Sequence, residues 1–181
     1  MDELKDKGEQ FQVHWDWHSS AIKYYQAYRI LMFLGYTKQA YGLLCISIEK
    51  FLKLFIGLRD NLTEDQLKVK FGHNLKRLFR DSKINQQQYS LVYNIANKIK
   101  YNDMRYLFEP TVNELNNVCE ELDKEIKNLS RLTVSKMNEV YSNFNLKVDT
   151  WNIIRQDSEY KEHFLKKALE SYDTITRLDF S

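Results

Sequence analysis

The residues best suited to bind a phosphate group lie between positions 68 and 83. This segment carries six basic side chains and a single acidic one, Asp81. A local excess of cations attracts anions. Within it, His73 follows a glycine and precedes an asparagine, which is typical of a turn that begins a helix. Two roles are open for His73: contact with a phosphate group beside Arg77 and Arg80, or a structural role in which the imidazole bonds to the backbone.

Three further residues join this candidate phosphate or nucleotide site. Arg105 can form paired hydrogen bonds with a phosphate group, and Tyr106 can stack on a base. The alternative is an Arg105 that pairs with Glu49 at the edge of the core while the tyrosine packs beneath it. Lys53 is the third candidate, and the alternative for both Lys50 and Lys53 is a solvated helix face.

The sequence does not predict a metal or cofactor site. His14 and His18 are four residues apart and would share a helix face, but two ligands do not make a zinc site. The chain has no P-loop, dinucleotide-binding fingerprint, HExxH or GxSxG motif. Cys45 and Cys119 lie far apart, and we expect both to be reduced, buried thiols.

The pattern of apolar residues predicts an all-α protein. Only 5 Gly and 1 Pro occur in 181 residues, which leaves few sites for tight turns. Apolar side chains recur at helical spacing in several stretches, and Glu49, Lys50 and Lys53 fall away from the centre of the second stripe. We predict helices at about 10–34, 37–58, 74–81, 85–98, from 110 or 111 onward, and 158–177, with a short helix that could start near Thr63 at capping-box spacing.

The predicted organisation is one helical bundle at residues 10–132 with a C-terminal helical extension at 133–181 packed on the same domain. The net charge of +2 divides into +5 for residues 1–110 and −3 for residues 111–181. The N-terminus has no apolar signal segment, and no apolar run approaches the roughly 20 residues that span a bilayer. We therefore expect a cytoplasmic protein without a membrane partner.

Three short motifs follow one another in a set order. They are Ile48–Lys53 within a predicted helix, Gly72–Leu75 at a predicted turn, and Arg105–Tyr106 ahead of the long helix that begins near Thr111. With these motifs the chain resembles the HEPN superfamily of helical domains over roughly residues 17–132.

The resemblance implies a HEPN-like bundle of four to five helices, a homodimer, and a nucleotide or RNA ligand or a nucleotidyltransferase partner, as in defence or toxin–antitoxin-like systems. RNase members of the family carry an R-x4-6-H motif. Here 13 residues separate Arg59 from His73, and seven separate Arg155 from His163. We therefore expect a non-catalytic module that binds a nucleotide or RNA.

Two alternatives remain from the sequence. The first is a metal-independent endoribonuclease, in which His73 or His163 acts as acid or base and Arg105 or Arg155 stabilises the phosphorane. The second is a protein-interaction subunit that partners a nucleotidyltransferase through an exposed apolar patch.

Overall fold

A computed structural model describes residues 2–98 and 119–144 of the chain. These residues form helices and no strands, which confirms the all-α class. The described helices are α1 (Asp2–Phe33), α2 (Thr37–Asp60), α3 (Glu64–Phe71), α4 (Leu75–Ser82), α5 (Ser90–Lys98) and α6 (Cys119–Tyr141), followed by a 3-10 turn at Ser142–Phe144.

Helices α1 and α2 form the hairpin from which the rest of the domain is built. Gly35 adopts a left-handed backbone with φ of 81°, which L-residues other than glycine rarely adopt. The Tyr36 N–H then donates to the Leu31 carbonyl at 2.8 Å and closes the end of α1. Between the two helices, the Ser47 hydroxyl donates to the Ala21 carbonyl at 2.8 Å. This hydrogen bond joins the two helices within their apolar contact.

Helix α2 contacts all the other described helices. Its predicted stripe is largely confirmed, because Leu44, Ile48 and Phe51 are fully buried. The two flanks of this stripe are buried as well, through Leu54 and Ile56, and so are Glu49 and Lys53 on the opposite side. A helix surrounded in this way has little surface left for water in its central part, and the charged residues Glu49 and Lys53 are buried there with the rest.

Both short helices α3 and α4 begin with the caps that the sequence predicts. The Thr63 hydroxyl accepts from the Gln66 N–H, and the Gln66 side chain accepts from the Thr63 N–H, which completes a capping box. The Asn74 side chain accepts from the Arg77 N–H at 2.9 Å. At the other end of α4, the Arg59 guanidinium donates to the carbonyls of the last two residues at 2.7 and 3.0 Å.

The predicted start of the fourth main helix at residue 85 is wrong, because α5 begins at Ser90. The Asn85 side chain accepts from the backbone N–H groups of residues 87 and 88, which makes a turn and keeps this segment out of the regular helix. The helix starts where Glu125 of α6 accepts from the N–H groups of Leu91 and Val92 at 3.0 and 2.9 Å. A carboxylate from a distant part of the chain therefore satisfies the first turn of α5.

Helix α6 buries the predicted stripe residues Leu122, Ile126 and Leu129. It continues without a break across residue 132 to Tyr141. Contacts within the chain place all of the described residues in one compact unit. The division at residue 132 stays a prediction, and the helix start near Pro110 and the helix at 158–177 lie outside the described residues.

Within residues 2–98 and 119–144, no helix combines the length and the apolar character that a bilayer crossing needs.

Candidate functional site

His73 is bound to a carboxylate on α2. Its Nδ1 lies 3.0 and 3.1 Å from the two carboxylate oxygens of Glu49. On the same helix the Lys53 ammonium donates to Glu49 Oε1 at 2.7 Å. We call these three residues the Glu49 cluster. It joins the central helix to the turn between α3 and α4.

The cluster lies at the boundary between core and surface. Glu49 and Lys53 are only 8% and 6% exposed, whereas 52% of the His73 side chain is exposed. A carboxylate in an ion pair accepts hydrogen bonds only, so Nδ1 of His73 carries the hydrogen that faces Glu49. The other ring nitrogen, Nε2, is then directed away from Glu49. This arrangement fixes both the tautomer and the orientation of the imidazole.

Local sequence explains how the three residues meet. Glu49 and Lys53 are four residues apart in α2 and therefore share one face of the helix. Gly72 ends α3 with a positive φ of 53°, and Asn74 begins α4 two residues later. His73 lies between these two signals in the turn, from which its ring reaches α2. Asn74 is the N-cap of α4, and the helix itself begins at Leu75.

Helix α4 presents its basic residues to solvent, as the sequence predicts. Side chains of Arg77 and Arg80 are 47% and 73% exposed, and the opposite face is buried. Asp81 lies 2.9 Å from Arg80 and 4.0 Å from Arg77 between nitrogen and oxygen atoms, so part of the charge is compensated. The Arg77 guanidinium also lies 5.5 Å from the centre of the Phe71 ring.

The structure brings His73 close to Lys53 through Glu49 and places Arg77 and Arg80 on the helix that follows His73. The prediction of a solvated face for Lys53 is wrong, because the side chain is buried, and the turn between α3 and α4 contacts the same side of α2 through His73 and Glu49. Its ammonium binds Glu49 within the cluster. Arg105 and Tyr106 lie outside the described residues.

The imidazole of His73 bonds to a side chain of α2, a partner that the sequence did not predict, and a contact of His73 with the backbone stays a prediction. Sequence reasoning considered Glu49 only as a partner for Arg105 and missed its contact with His73. A usable signal was present: a glutamate and a lysine four residues apart inside a strongly apolar helix favour a buried ion pair.

The two early histidines serve the packing of α1 on α6. His14 Nδ1 lies 2.7 Å from the Tyr141 hydroxyl, and His18 Nε2 lies 2.9 Å from Ser130 Oγ. In residues 2–98 and 119–144, no group of three His, Cys, Asp or Glu side chains is arranged to hold a metal ion. Burial and the nearby Glu49 carboxylate raise the pKa of the Cys45 thiol, which makes it a poor nucleophile.

Comparison with protein-family models, with curated proteins and with solved structures gave no match. The fold and the site therefore define the class of this protein by themselves. It is an all-α domain with a buried glutamate–lysine pair that orients a half-exposed histidine next to a basic helix.

Proposed function

We propose that this chain is a non-catalytic module that binds a phosphate-bearing ligand, a nucleotide or RNA, on the surface formed by His73 and α4. One observation carries the proposal. His73 is held by a buried ion pair yet is half exposed, and the exposed side chains of Arg77 and Arg80 follow it on one short helix.

The fixed orientation of the imidazole supports this role. A histidine on the protein surface is solvated by water and does not need a buried carboxylate as a partner. Burying Glu49 and Lys53 costs desolvation energy that their attraction only partly offsets. A structure that keeps such a pair under one histidine holds that ring in a single orientation. The two guanidinium groups are donors that recognise phosphate oxygens, and Nε2 of His73 in this tautomer is an acceptor for a ribose hydroxyl or a base N–H of the same ligand.

Each predicted ligand residue has a distinct part in the proposal. His73, Arg77 and Arg80 contact the ligand, and Lys53 acts indirectly because it holds Glu49. Arg105 and Tyr106 remain predicted contacts.

The HEPN resemblance, the homodimer and the nucleotidyltransferase partner also remain proposals. Sedimentation at micromolar concentration tests the homodimer.

The experiment is a fluorescence-anisotropy titration of labelled single-stranded RNA at several salt concentrations. Arg77→Ala combined with Arg80→Ala removes two cations from the proposed surface. Counterion release predicts that the slope of log K against log salt falls by about 1.4, at about 0.7 per phosphate contact. Affinity at low salt should fall at least tenfold.

The matched control removes the same charge elsewhere. Lys124 and Lys127 are exposed on α6, and Lys124→Ala with Lys127→Ala leaves α4 intact. This control should keep the wild-type slope and affinity. If the two double variants lost equal affinity for RNA, the binding would depend only on the net charge of the protein. That result would refute the proposed surface.

The Glu49–His73 contact also favours a second function, a metal-independent endoribonuclease. In such a reaction His73 Nε2 takes the proton of a ribose 2′-hydroxyl, the 2′-oxygen attacks phosphorus, and the 5′-oxygen leaves with a proton from solvent or a second acid. A histidine oriented by a carboxylate is suited to this proton transfer. Cleavage of RNA in EDTA that is lost in His73→Gln and kept in Lys124→Ala would establish it, and intact RNA would exclude it.

A further inference from the structure

Two histidines of α1 face the C-terminal half of α6. His14 contacts the hydroxyl of Tyr141, and His18 contacts the hydroxyl of Ser130. His18 is completely buried. Two imidazoles, whose ordinary pKa lies within the physiological range, are therefore placed at the contact between two helices.

The surroundings of His18 favour the neutral imidazole. Its ring stacks on Trp15 with 5.5 Å between ring centres and meets the Phe51 ring at 5.6 Å. Nδ1 has no hydrogen-bond partner among the described residues. A protonated ring would carry a second N–H there without an acceptor, together with a positive charge between apolar rings.

No charged side chain takes part in the described contacts of His18, which come from α1, α2 and α6. Burial lowers the pKa of His18 to about 4. Burial also lowers the pKa of His14, and the positive charge of Lys7 lowers it further. Protonation of either ring therefore opposes the packed arrangement.

The N-terminal half of α6 is held by different contacts. The Tyr25 hydroxyl donates to Asp123, and Arg29 forms an ion pair with the same carboxylate at 3.3 Å. Glu125 is bound to the first turn of α5. These contacts contain no histidine, so acid acts unequally on the two halves of the helix.

We propose that the contact of residues 130–141 with the N-terminal half of α1 is an acid-sensitive latch, in which protonation of His18 separates this end of α6 from α1. His14 contributes in the same direction. The end of α6 near Asp123 and Glu125 stays attached. The open form exposes an apolar strip that includes Val134 and Met137, both buried in the closed form.

Hydrogen exchange measured by mass spectrometry at pH 7 and pH 5, corrected for the intrinsic exchange rate, tests the latch. The pKa of His18 is about 4 in the closed form and about 6.5 when the ring is released into water. The equilibrium constant for opening is therefore about 20-fold larger at pH 5 than at pH 7. Peptides from residues 130–141 should lose about that much protection. Peptides from α2 should change little.

The decisive variant is His18→Gln, because the glutamine amide can replace Nε2 at Ser130 and does not titrate. Its residues 130–141 should lose most of the pH response and keep only the smaller part that His14 contributes. Lys124→Ala alters an exposed side chain of α6 outside the latch and should keep the full pH response. An undiminished response in His18→Gln would overturn the proposal, as would an equal loss of protection in α2.

A second measurement uses the unaltered chain and applies even where the variant does not fold. Carbon-13 labelling of the histidine rings allows each ring to be titrated by NMR. The His18 signal should remain that of a neutral ring at pH 5.5 in the closed form. Titration of this ring with the midpoint of an exposed histidine would refute the latch.

Discussion

Glu125→Ala should destabilise the domain more than any other single change at a described carboxylate of α6. The Glu125 side chain is 9% exposed, and its two oxygens accept the N–H groups of Leu91 and Val92 at 3.0 and 2.9 Å. Those donors belong to the first turn of α5, which has no intrahelical acceptor for them. Alanine leaves both donors without their partner.

The magnitude follows from these bonds. Each hydrogen bond to a charged group contributes about 1.5–3 kcal/mol, and substitution of a helix cap by alanine costs about 1 kcal/mol. Water that enters the space left by the side chain recovers part of the loss. We therefore expect a free energy of unfolding lower by about 3 kcal/mol, and a Tm lower by roughly 6–12 °C for a chain of this size.

Urea unfolding followed by circular dichroism measures this change at pH 7. Glu125→Gln keeps one carbonyl acceptor and should lose about half as much. Glu121 is exposed on the same helix, and Glu121→Ala should stay within about 0.5 kcal/mol of wild type. A loss under about 1 kcal/mol for Glu125→Ala, or the same loss for Glu121→Ala, would refute the assigned role of the carboxylate.

Three further outcomes are expected. Lys83 ends α4 with a left-handed φ of 58°, so Lys83→Gly should stabilise the domain by roughly 0.5–1 kcal/mol in urea unfolding, and Lys83→Ala should not. Burial raises the pKa of Cys45, so its alkylation by iodoacetamide at pH 8 should be slow in the folded protein and fast in urea, and fast alkylation of the folded protein contradicts this. The pKa of His18 is lowered to about 4, so the unfolded state binds more protons between pH 7 and pH 4, and stability should fall by about 2 kcal/mol from pH 7 to pH 5. His18→Gln should lose most of this pH dependence, and an unchanged profile would show that other groups cause it.

The sequence predicts well those parts of the fold that depend on neighbouring residues. The caps at Thr63 and Asn74 are short-range signals, and both are present. The stripe of α2 and the turn at Gly35 are equally local. Each of these features is decided within about one or two helical turns of chain.

Features of the fold that depend on residues far apart in the chain could not be predicted from the sequence. A single periodic stripe shows one buried face of α2, but the burial of Lys53 on the other face depends on parts of the chain that come later, such as the turn that carries His73. The start of α5 at Ser90 depends on Glu125, which lies more than thirty residues away. No pattern of neighbouring residues in the sequence predicts either contact.

The candidate site was predicted in part for the same reason. His73, Arg77 and Arg80 stood out as a histidine at a turn followed by cations on one helix. The role of Glu49 did not, because His73 lies 24 residues further along the chain and the segment between them must first fold into two helices. Arg105 and Tyr106 remain predictions.

The position of α2 has a consequence for synthesis on the ribosome. The chain emerges with its N-terminal part first, and domains begin to fold during synthesis. The α1–α2 hairpin is thus complete before the later helices leave the exit tunnel. Since α3, α4, α5 and α6 all contact α2, the helix on which each of them packs has already been synthesised when it emerges. Assembly can proceed in the order of translation.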